Sequence, residues 1–503
     1  MSMFTTESVI GVIGAGTMGA GIAQVAAKAG HPVLLFDVAE GAAERGREGL
    51  AKGLQKLVSR GRMSAEEVDT LIGRIQVIRS LDEMAPAALV IEAIVERLEV
   101  KQSVFGQLED ICSEQTVLAT NTSSISVTAI GSTLKRPQNL IGMHFFNPAP
   151  IMKLVEVISG LDTQPEIASA IYDLSTRWGK QPVHAKSTPG FIVNRVARPF
   201  YAEGLRVYQE GGADTATIDA IIREAGGFRM GPFELTDLIG HDVNYAVTCS
   251  VYAAYYNDQR FLPSLIQQEL VSAGHFGRKS GKGFYDYSEG AEMPLPQTAA
   301  PAEKPTHVTV EGDLGVAEPL VALFETAGIE VTRTDGDGRI QVGDTTMMLT
   351  NGQFTTVRAT EVSNRNLIHF DLALDYATST RIALAPADKA DAKSIEQAVG
   401  LFQAAGKAVS VIDDIPGMVV MRTVAMLANE GFDAVNQQVC NEDAVDIAMQ
   451  GGVNYPRGPL SWANAVGLTR ILAVLRNLGA SYGEDRYRPS PLLLRKVAGV
   501  RQS

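Results

Sequence analysis

The sequence predicts a doubly wound α/β domain followed by an all-α domain, then a second, reduced α/β unit and a second copy of the all-α domain. In the first third of the chain, short apolar runs alternate with helical stretches, and a glycine-rich loop joins the first strand to the first helix. A late segment repeats an earlier one at a constant offset, with Pro416 in the place of Pro189. A chain of 503 residues has room for about three or four compact units.

The first domain is predicted at residues 1–186. It opens with the apolar run Val9–Ile13, a glycine loop, an alanine-rich helix at Ala20–Ala29 and the strand Val33–Phe36, which Asp37 ends. Further strands are predicted at the apolar runs Leu89–Ala93, Thr116–Thr120, Leu140–His144 and Leu154–Ile158. This alternation is typical of a doubly wound sheet.

The remaining residues divide into four segments that differ in their sequence pattern. Residues 187–287 contain amphipathic stretches without strand-like runs, which predicts a helical domain. Residues 288–305 include four prolines and are interpreted as an extended linker. Residues 306–412 again alternate strand and helix patterns, as in a reduced Rossmann-like domain, and residues 413–503 form the second, degenerate helical domain.

The repeat carries many identities without a gap. The matching pairs are Pro189-Gly190 with Pro416-Gly417, Arg195 with Arg422, Glu203-Gly204 with Glu430-Gly431, Asp219 with Asp446, Gly231-Pro232 with Gly458-Pro459, and Gly240 with Gly467. Such regular identity marks a duplicated structural unit.

Composition excludes several classes of protein. A net charge of -13 argues against a general nucleic-acid-binding surface, because such affinity depends on neutralising phosphates with Lys and Arg. Three widely spaced cysteines without a CxxC pair predict neither a disulfide framework nor a metal site. No apolar stretch is long enough to cross a membrane and no signal segment is evident, so we expect a cytosolic protein without a membrane partner.

The loop Gly14-Ala15-Gly16-Thr17-Met18-Gly19 fits the pattern GxGxxG. A strand precedes it, a helix follows it, and Asp37 ends the next strand, which is the context that a dinucleotide-binding Rossmann domain requires. Asp37 can accept hydrogen bonds from a ribose diol and would repel a 2′-phosphate, and no Arg follows it directly. The predicted cofactor is therefore NAD rather than NADP.

His144 is the best candidate for a general base, because removing hydride from an alcohol requires a group that takes the hydroxyl proton. Glu156 lies in the next apolar run along the chain, where burying a carboxylate without a partner would be costly. A pair between them would hold the imidazole tautomer and stabilise the imidazolium. Without knowledge of a family, the sequence is equally compatible with a His that has only a structural role and a Glu that faces the solvent.

Several blocks together resemble the L-3-hydroxyacyl-CoA dehydrogenase family over about residues 8–287. They are Gly14–Ala23, Ile91–Glu96, Asn121–Ser124, His144–Pro148, Thr188–Arg195 and Gly231–Glu234. The long form with a degenerate second half resembles the bacterial dehydrogenases of phenylacetate degradation, which act on 3-hydroxyadipyl-CoA. The resemblance implies NAD-dependent oxidation of a (S)-3-hydroxyacyl-CoA, with 3-hydroxybutyryl-CoA as another candidate substrate.

The resemblance also implies roles for single residues. His144 would be the catalytic base and Glu156 its partner, while Ser123 and Asn194 would bind the reacting oxygen and the substrate; by themselves the last two would be ordinary capping residues. The implied cofactor-binding residues are Gly14, Gly16, Gly19, Asp37, Glu96, Lys101, Asn121, Asn147 and Lys279. Without the family, Lys101 and Lys279 would be interpreted as solvated charges.

Coenzyme A carries several phosphates, so an acyl-CoA substrate needs a local basic face. Lys52, Lys56 and Arg60 recur at four-residue spacing and share one face if residues 41–60 are helical. We take Lys56 and Arg60 as candidate substrate-binding residues, with a solvated helix face as the alternative.

We predict one active site per chain. The second repeat has Met421 where the first has Asn194, and the second α/β unit lacks the glycine loop. We expect the second half to pack against the first helical domain and to imitate a dimer partner, while assembly into a homodimer is left open.

Two other functions are compatible with an NAD-binding domain of this kind. A β-hydroxyacid dehydrogenase acting on free acids would need a catalytic Lys on the first long helix after the sheet, where this chain has Asn194 and Arg195. A non-catalytic NAD-binding structural protein would not need His144, Glu156, Ser123 and Asn194 together.

Overall fold

The computed structural model describes residues 3–500 and divides by contacts into two units. Unit 1 comprises the described part of Met1–Arg195 together with Gln437–Val453, and unit 2 comprises Val196–Asn436 and the described part of Asn454–Ser503. The segment Gln437–Val453 lies inside the predicted second helical domain, yet it groups with the first sheet. The domain boundaries given above stay a prediction.

Unit 1 is built on an eight-stranded sheet in the order β3-β2-β1-β4-β5-β6-β7-β8. Its strands are β1 Ile10–Ile13, β2 Val33–Phe36, β3 Ile75–Val77, β4 Leu89–Glu92, β5 Val117–Thr120, β6 Leu140–Phe145, β7 Leu154–Ser159 and β8 Gln181–Lys186. Every neighbouring pair is parallel except β6 and β7, which are antiparallel. The predicted doubly wound sheet is confirmed.

The helices of unit 1 lie between these strands. They are α1 Thr17–Lys28, α2 Ala42–Ser59, α3 Ala65–Gly73, α4 Leu98–Ile111, α5 Val127–Gly131 and α6 Pro165–Arg177. Their apolar faces and the central strands form one core, since parallel strands covered by helices on both faces are buried throughout. The sequence patterns above did not identify β3, which is very short, or β8, whose exposed and buried residues mark a sheet edge.

Unit 2 contains a seven-stranded mixed sheet in the order β10-β9-β11-β12-β13-β14-β15. The strands are β9 His307–Glu311, β10 Glu330–Thr334, β11 Arg339–Val342, β12 Thr345–Leu349, β13 Leu367–Phe370, β14 Arg381–Pro386 and β15 Ala408–Val411. This sheet agrees with the alternating strand and helix patterns of residues 306–412. The predicted linker, all of which is described, has no helix or strand, and its Ala299 amide donates to the Val409 carbonyl in β15 at 2.8 Å.

The helices of the remaining chain are mostly in unit 2. They are α7 Val193–Val196, α8 Arg198–Gln209, α9 Thr215–Glu224, α10 Pro232–Ile239, α11 His241–Ala254, α12 Leu265–Ser272, α13 Pro319–Thr326, α14 Thr355–Glu361, α15 Ala392–Ala404, α16 Val420–Asn436, α17 Glu442–Val453, α18 Pro459–Val466, α19 Leu468–Tyr482 and α20 Pro491–Val500. Of these, α17 belongs to unit 1, and α7 spans the boundary between the units. None of the described helices is both long enough and apolar enough to cross a bilayer.

Within unit 2 the two helical repeats pack against each other, as expected. Helix α8 of the first repeat contacts α16 of the second. At their interface the buried Arg422 guanidinium donates to the buried Glu203 carboxylate, with Nε and Oε2 3.0 Å apart. A buried charge is tolerated when it is paired in this way.

The duplication begins further upstream than the sequence identities indicated. In unit 1, Lys180 Nζ donates to the carbonyls of Ala149 and Met152. In unit 2, Lys407 Nζ donates to the carbonyls of Tyr376 and Ser379, and all three residues stand at the offset that relates Pro189 to Pro416. The segments β6–β7–α6–β8 and β13–β14–α15–β15 therefore correspond in register, although few residues are identical.

One helix of each repeat packs on the sheet of the other half of the chain. In unit 1, α17 packs on β7 and β8, and Lys186 N donates to Val439 O (2.9 Å). In unit 2, α9 packs on β14, and Asp413 N donates to Gly212 O (3.0 Å). The two helices, and the two backbone hydrogen bonds, stand at equivalent positions of the repeat. The exchange between the halves is therefore reciprocal, as in the isologous interface of a symmetric dimer.

Asp371, which follows β13, fastens the second repeat to the reduced sheet. Its buried carboxylate accepts hydrogen bonds from the amides of Val419, Val420 and Met421 at 2.7–3.0 Å. Burial raises the pKa of Asp371 to about 6, against the lowering effect of these amides. The amides would lose this acceptor without the side chain.

We expect Asp371→Ala to lower the thermal unfolding midpoint, because three buried amides would lose their acceptor at a cost of about 3 kcal/mol or more. The control is Asp388→Ala, which removes an exposed carboxylate and should change stability by less than about 0.5 kcal/mol. Equal midpoints for the two variants in scanning calorimetry would contradict this role of Asp371.

Candidate active site

The glycine loop connects β1 to α1 and leaves open space above the helix N-terminus. Gly16 is the N-cap of α1, no side chain caps that end, and the first turn carries no acidic residue. A Cβ built on Gly16 would meet no described atom within 4 Å, whereas one on Gly19 would lie 1.8 Å from the Gly14 carbonyl oxygen. Gly19 is therefore required by the fold, while the space at Gly16 fits a pyrophosphate bound to the amides at the start of α1.

Asp37 lies directly after β2 and faces the same loop. Its Oδ2 accepts a hydrogen bond from Ala15 N (2.7 Å), and its Oδ1 accepts one from Ala39 N (2.9 Å). The carboxylate is thus fixed beside the loop, and the side chain remains partly exposed. Val38, Ala39 and Glu40 follow it and offer no cation to a 2′-phosphate. These features fit NAD.

His144 and Glu156 form a buried pair that follows from strand register. Antiparallel pairing places His144 in β6 directly opposite Glu156 in β7, and side chains at opposed positions lie on the same face of the sheet. His144 Nδ1 and Glu156 Oε2 are 2.6 Å apart, and the two residues are 6% and 0% exposed. Among the described residues no group hydrogen-bonds to His144 Nε2.

The second carboxylate oxygen of Glu156 holds the chain before α7. Oε1 accepts hydrogen bonds from Ile192 N and Val193 N, each at 3.0 Å. Asn194 comes next in the chain, and its Nδ2 donates to the Ser123 carbonyl at 3.4 Å. The four predicted catalytic residues therefore lie together within unit 1.

Glu96 organises the loop that carries Ser123. Its Oε1 accepts from the hydroxyl of Thr122 and from the amides of Ser123 and Ser124. Although burial works to raise it, the hydrogen bond from the Thr122 hydroxyl and the charge of Lys101 hold the pKa of Glu96 below its ordinary value.

Lys101 is buried, so its interpretation as a solvated charge is wrong. Its Nζ lies 2.6 Å from Glu92 Oε1 and 3.1 Å from Glu96 Oε2. Glu92 is fully buried at the end of β4, where its other oxygen accepts from the Thr120 hydroxyl (2.8 Å). The sequence patterns gave Glu92 no role, although a carboxylate ending an apolar strand was a signal like the one at Glu156.

The other predicted cofactor-binding residues lie in three places. Asn121 follows β5, and its side-chain oxygen accepts from Phe145 N at 2.8 Å, which fixes the end of β6. Asn147 lies two positions beyond β6 and is exposed. Lys279 belongs to unit 2, where its Nζ forms an ion pair with Asp242 Oδ1 at 2.5 Å.

Helix α2 carries the predicted basic face. Residues 42–59 are helical, so Lys52 and Lys56 lie one turn apart and Arg60 is the C-cap one turn further. Lys52, Lys56 and Arg60 are all exposed. Among the described residues none of the three cations forms an ion pair, so each is available to a phosphate.

The second half keeps the scaffold of this site without its chemistry. At the offset of the repeat, Asp371 corresponds to His144, Ala383 to Glu156, Met421 to Asn194 and Thr350 to Ser123. Asp371 has taken over the anchoring of the helix start, because its carboxylate binds the amides that correspond to those bound by Glu156. These four positions, all of them described, hold no imidazole–carboxylate pair.

A cavity of about 200 Å³ lies within unit 2 and contains none of the predicted site residues. Its lining includes Arg206 and Arg260, which pair with Glu484 and with Glu430. Among the described residues the lining includes no histidine, so the cavity holds no imidazole–carboxylate pair like that of His144 and Glu156.

Family comparisons agree with this geometry. The NAD-binding domain of 3-hydroxyacyl-CoA dehydrogenase matches residues 9–188, and the C-terminal domain of 3-hydroxyacyl-CoA dehydrogenase matches twice, at residues 190–287 and 417–501. The 3-hydroxybutyryl-CoA dehydrogenase reduced Rossmann-fold domain matches residues 347–416.

Individual relatives that are similar to this chain cover nearly all of it or about half of it. A 3-hydroxyadipyl-CoA dehydrogenase of Escherichia coli is 44% identical over 495 residues, 98% of each chain. A probable 3-hydroxybutyryl-CoA dehydrogenase of Bacillus subtilis is 42% identical over 278 residues, 55% of this chain and 96% of its own. A crystal structure of 3-hydroxybutyryl-CoA dehydrogenase from Escherichia coli K12 superposes with a TM-score of 0.90 at 43% identity and covers 98% of this chain and 99% of its own. This chain belongs to the 3-hydroxyacyl-CoA dehydrogenase family.

Proposed function

We propose that the protein oxidises the 3-hydroxyl of a (S)-3-hydroxyacyl-CoA to the 3-oxo group, with one active site per chain at His144. The observation that carries the proposal is the buried His144–Glu156 pair, in which Nε2 of the imidazole has no hydrogen bond from the described residues. NAD bound at the glycine loop supplies the hydride acceptor.

His144 acts as the base at Nε2. It takes the proton from the hydroxyl oxygen while the hydride leaves the carbon that bears this hydroxyl, and the carboxylate of Glu156 stabilises the imidazolium that forms. Glu156 also selects the tautomer, because Nδ1 must carry a hydrogen to donate to Oε2 2.6 Å away. The base is therefore oriented before substrate binds.

Ser123 and Asn194 bind the reacting oxygen. The Ser123 hydroxyl and the Asn194 amide are short polar donors on two segments that Glu96 and Glu156 hold in place. The cations Lys56 and Arg60 on α2 bind phosphates of coenzyme A. Cofactor binding involves further residues, which either contact NAD or hold the loops that contact it. They are Glu96, Lys101, Asn121, Asn147 and Lys279.

For the substrate we propose 3-hydroxyadipyl-CoA, with 3-hydroxybutyryl-CoA as the alternative. The support for the first is the relative of that name, which is 44% identical and covers 98% of the chain. The support for the second is the solved structure with a TM-score of 0.90. We also propose that the second half replaces a partner subunit, which the reciprocal exchange of α9 and α17 supports, and that the protein acts in the cytoplasm.

We expect His144→Gln to lower kcat by about 10²- to 10⁴-fold, since it removes the general base. Binding of NAD should be unchanged, as measured by calorimetry, because the glycine loop is untouched. The control His184→Gln changes an exposed histidine of the same unit and should retain full activity. Unchanged turnover in His144→Gln would contradict the base assignment.

We expect Gly16→Ala to weaken NAD binding about tenfold while leaving the fold intact, because its methyl group would meet no described protein atom but would fill space that we assign to the cofactor. The control Gly106→Ala also adds a methyl group that meets no described protein atom. Calorimetric titration of the wild type should give one NAD per chain. An unchanged dissociation constant for Gly16→Ala, or two NAD per chain, would contradict the assigned site.

Rates with 3-hydroxyacyl-CoA substrates of increasing length, with and without a terminal carboxylate, identify the substrate. We expect the highest kcat/KM for the adipyl thioester, which ends in a carboxylate. A higher value for 3-hydroxybutyryl-CoA would select the alternative. Activity with free 3-hydroxy acids but not with thioesters would reject the proposed function, as would absence of hydride transfer with every substrate.

A further inference from the structure

Unit 1 contains one helix that comes from the second half of the chain. We call Gln437–Val453, which includes α17, the α17 segment. Its backbone is hydrogen-bonded to the edge of the sheet, where Lys186 N in β8 donates to Val439 O. Its helix covers β7 and β8, and β7 is the strand that carries Glu156.

The C-terminal end of α17 lies against three neighbours of the catalytic pair. A Cβ on Gly452 would be 2.6 Å from Leu154 Cδ2, 3.1 Å from Val193 Cγ2 and 3.6 Å from Phe146 Cε1. Leu154 lies two positions before Glu156 in β7. Any side chain at position 452 would have to displace at least one of these groups.

Two of those neighbours contact the catalytic pair directly. Val193 N donates to Glu156 Oε1 at 3.0 Å. The Phe146 ring lies with its centroid 4.5 Å from that of the His144 ring. Through Val193 and Phe146, the backbone of α17 at Gly452 therefore supports both the Glu156 carboxylate and the His144 imidazole.

The N-terminal end of the segment holds the residue that follows Asn194. Arg195 is 2% exposed, and its Nη1 donates to Gln437 Oε1 at 2.9 Å. Its backbone N–H donates to Gly190 O (3.1 Å) and so closes the turn that contains the two amides bound to Glu156. Gln437 thus fixes this turn through the Arg195 side chain.

We propose that the α17 segment of the second half is a positioning element for catalysis in the first half, with Gly452 and Gln437 as its positioning residues. Neither residue touches the reacting atoms. They act through Val193, Phe146 and Arg195 on the distance and angle between His144 and Glu156. The alternative is that α17 only covers an apolar sheet edge, in which case these two residues affect stability but not the chemical step.

The inference rests on the proposed function, and four variants of the full chain test it. Gly452→Ala is compared with Gly451→Ala, whose methyl group would make only an ordinary contact, 3.5 Å from Leu154 Cβ. Gln437→Ala is compared with Gln437→Glu, which keeps an oxygen acceptor for Arg195. All four are assayed with a 3-hydroxyacyl-CoA and its 3-deuterated form.

We expect Gly452→Ala and Gln437→Ala to lower kcat about tenfold, to leave the KM for NAD within about twofold, and to raise the primary deuterium isotope effect, since only the chemical step is impaired. Gly451→Ala and Gln437→Glu should resemble the wild type. If Gly452→Ala fails to fold, the Gln437 pair decides alone.

Wild-type kcat and isotope effects in every folded variant would overturn the inference, and so would equal losses in Gln437→Ala and Gln437→Glu. A wild type that shows no activity with any 3-hydroxyacyl-CoA would instead overturn the proposed function, so the two failures are distinguishable.

Discussion

The structure of unit 1 around the site depends on one carboxylate, that of Glu156. One oxygen holds the His144 imidazole and the other holds two amides just before Asn194, so a single buried group sets both the base and the donor that would face it. A carboxylate buried with no exposed surface is stable only if its lone pairs are used, and here three hydrogen bonds use them. The antiparallel step between β6 and β7 makes this possible, because it sets the two side chains opposite each other.

Comparison with the second half separates the structural role of the Glu156 carboxylate from its role in the reaction. Asp371 keeps the hydrogen bonds to the helix start, whereas the position of Glu156 has become Ala383 and the position of His144 no longer holds an imidazole. Anchoring the helical repeat to the sheet is a requirement of stability in both halves. The pairing of a carboxylate with an imidazole is required for the proposed reaction, and of the two halves only the first has such a pair at this site.

Most of the fold could be predicted from the sequence because its signals are local. The loop at Gly14–Gly19 and the apolar runs identify strands and helices by their own pattern. The Glu156 pair was one of two open interpretations, because strand register is a long-range property. Glu92 and Gln437 received no role, since each acts through a partner distant in the chain or on another element.

The upstream extension of the repeat could not be predicted either. Backbone geometry persisted there while most side chains diverged, so identities are too sparse to reveal the correspondence. Lys180 and Lys407 show it only through their equivalent carbonyl partners, which are contacts made after folding.

The exchange of helices between the halves has a consequence for how the duplicated gene can diverge. The replacements in the second half at the positions of His144 and Glu156, which are Asp371 and Ala383, leave the imidazole–carboxylate pair of unit 1 intact. Mutations in Gln437–Val453 are different, because that stretch is built into the unit that performs the reaction. The second half is therefore constrained unevenly along its sequence, and its loss by truncation would expose the face of β7 and β8 that α17 covers.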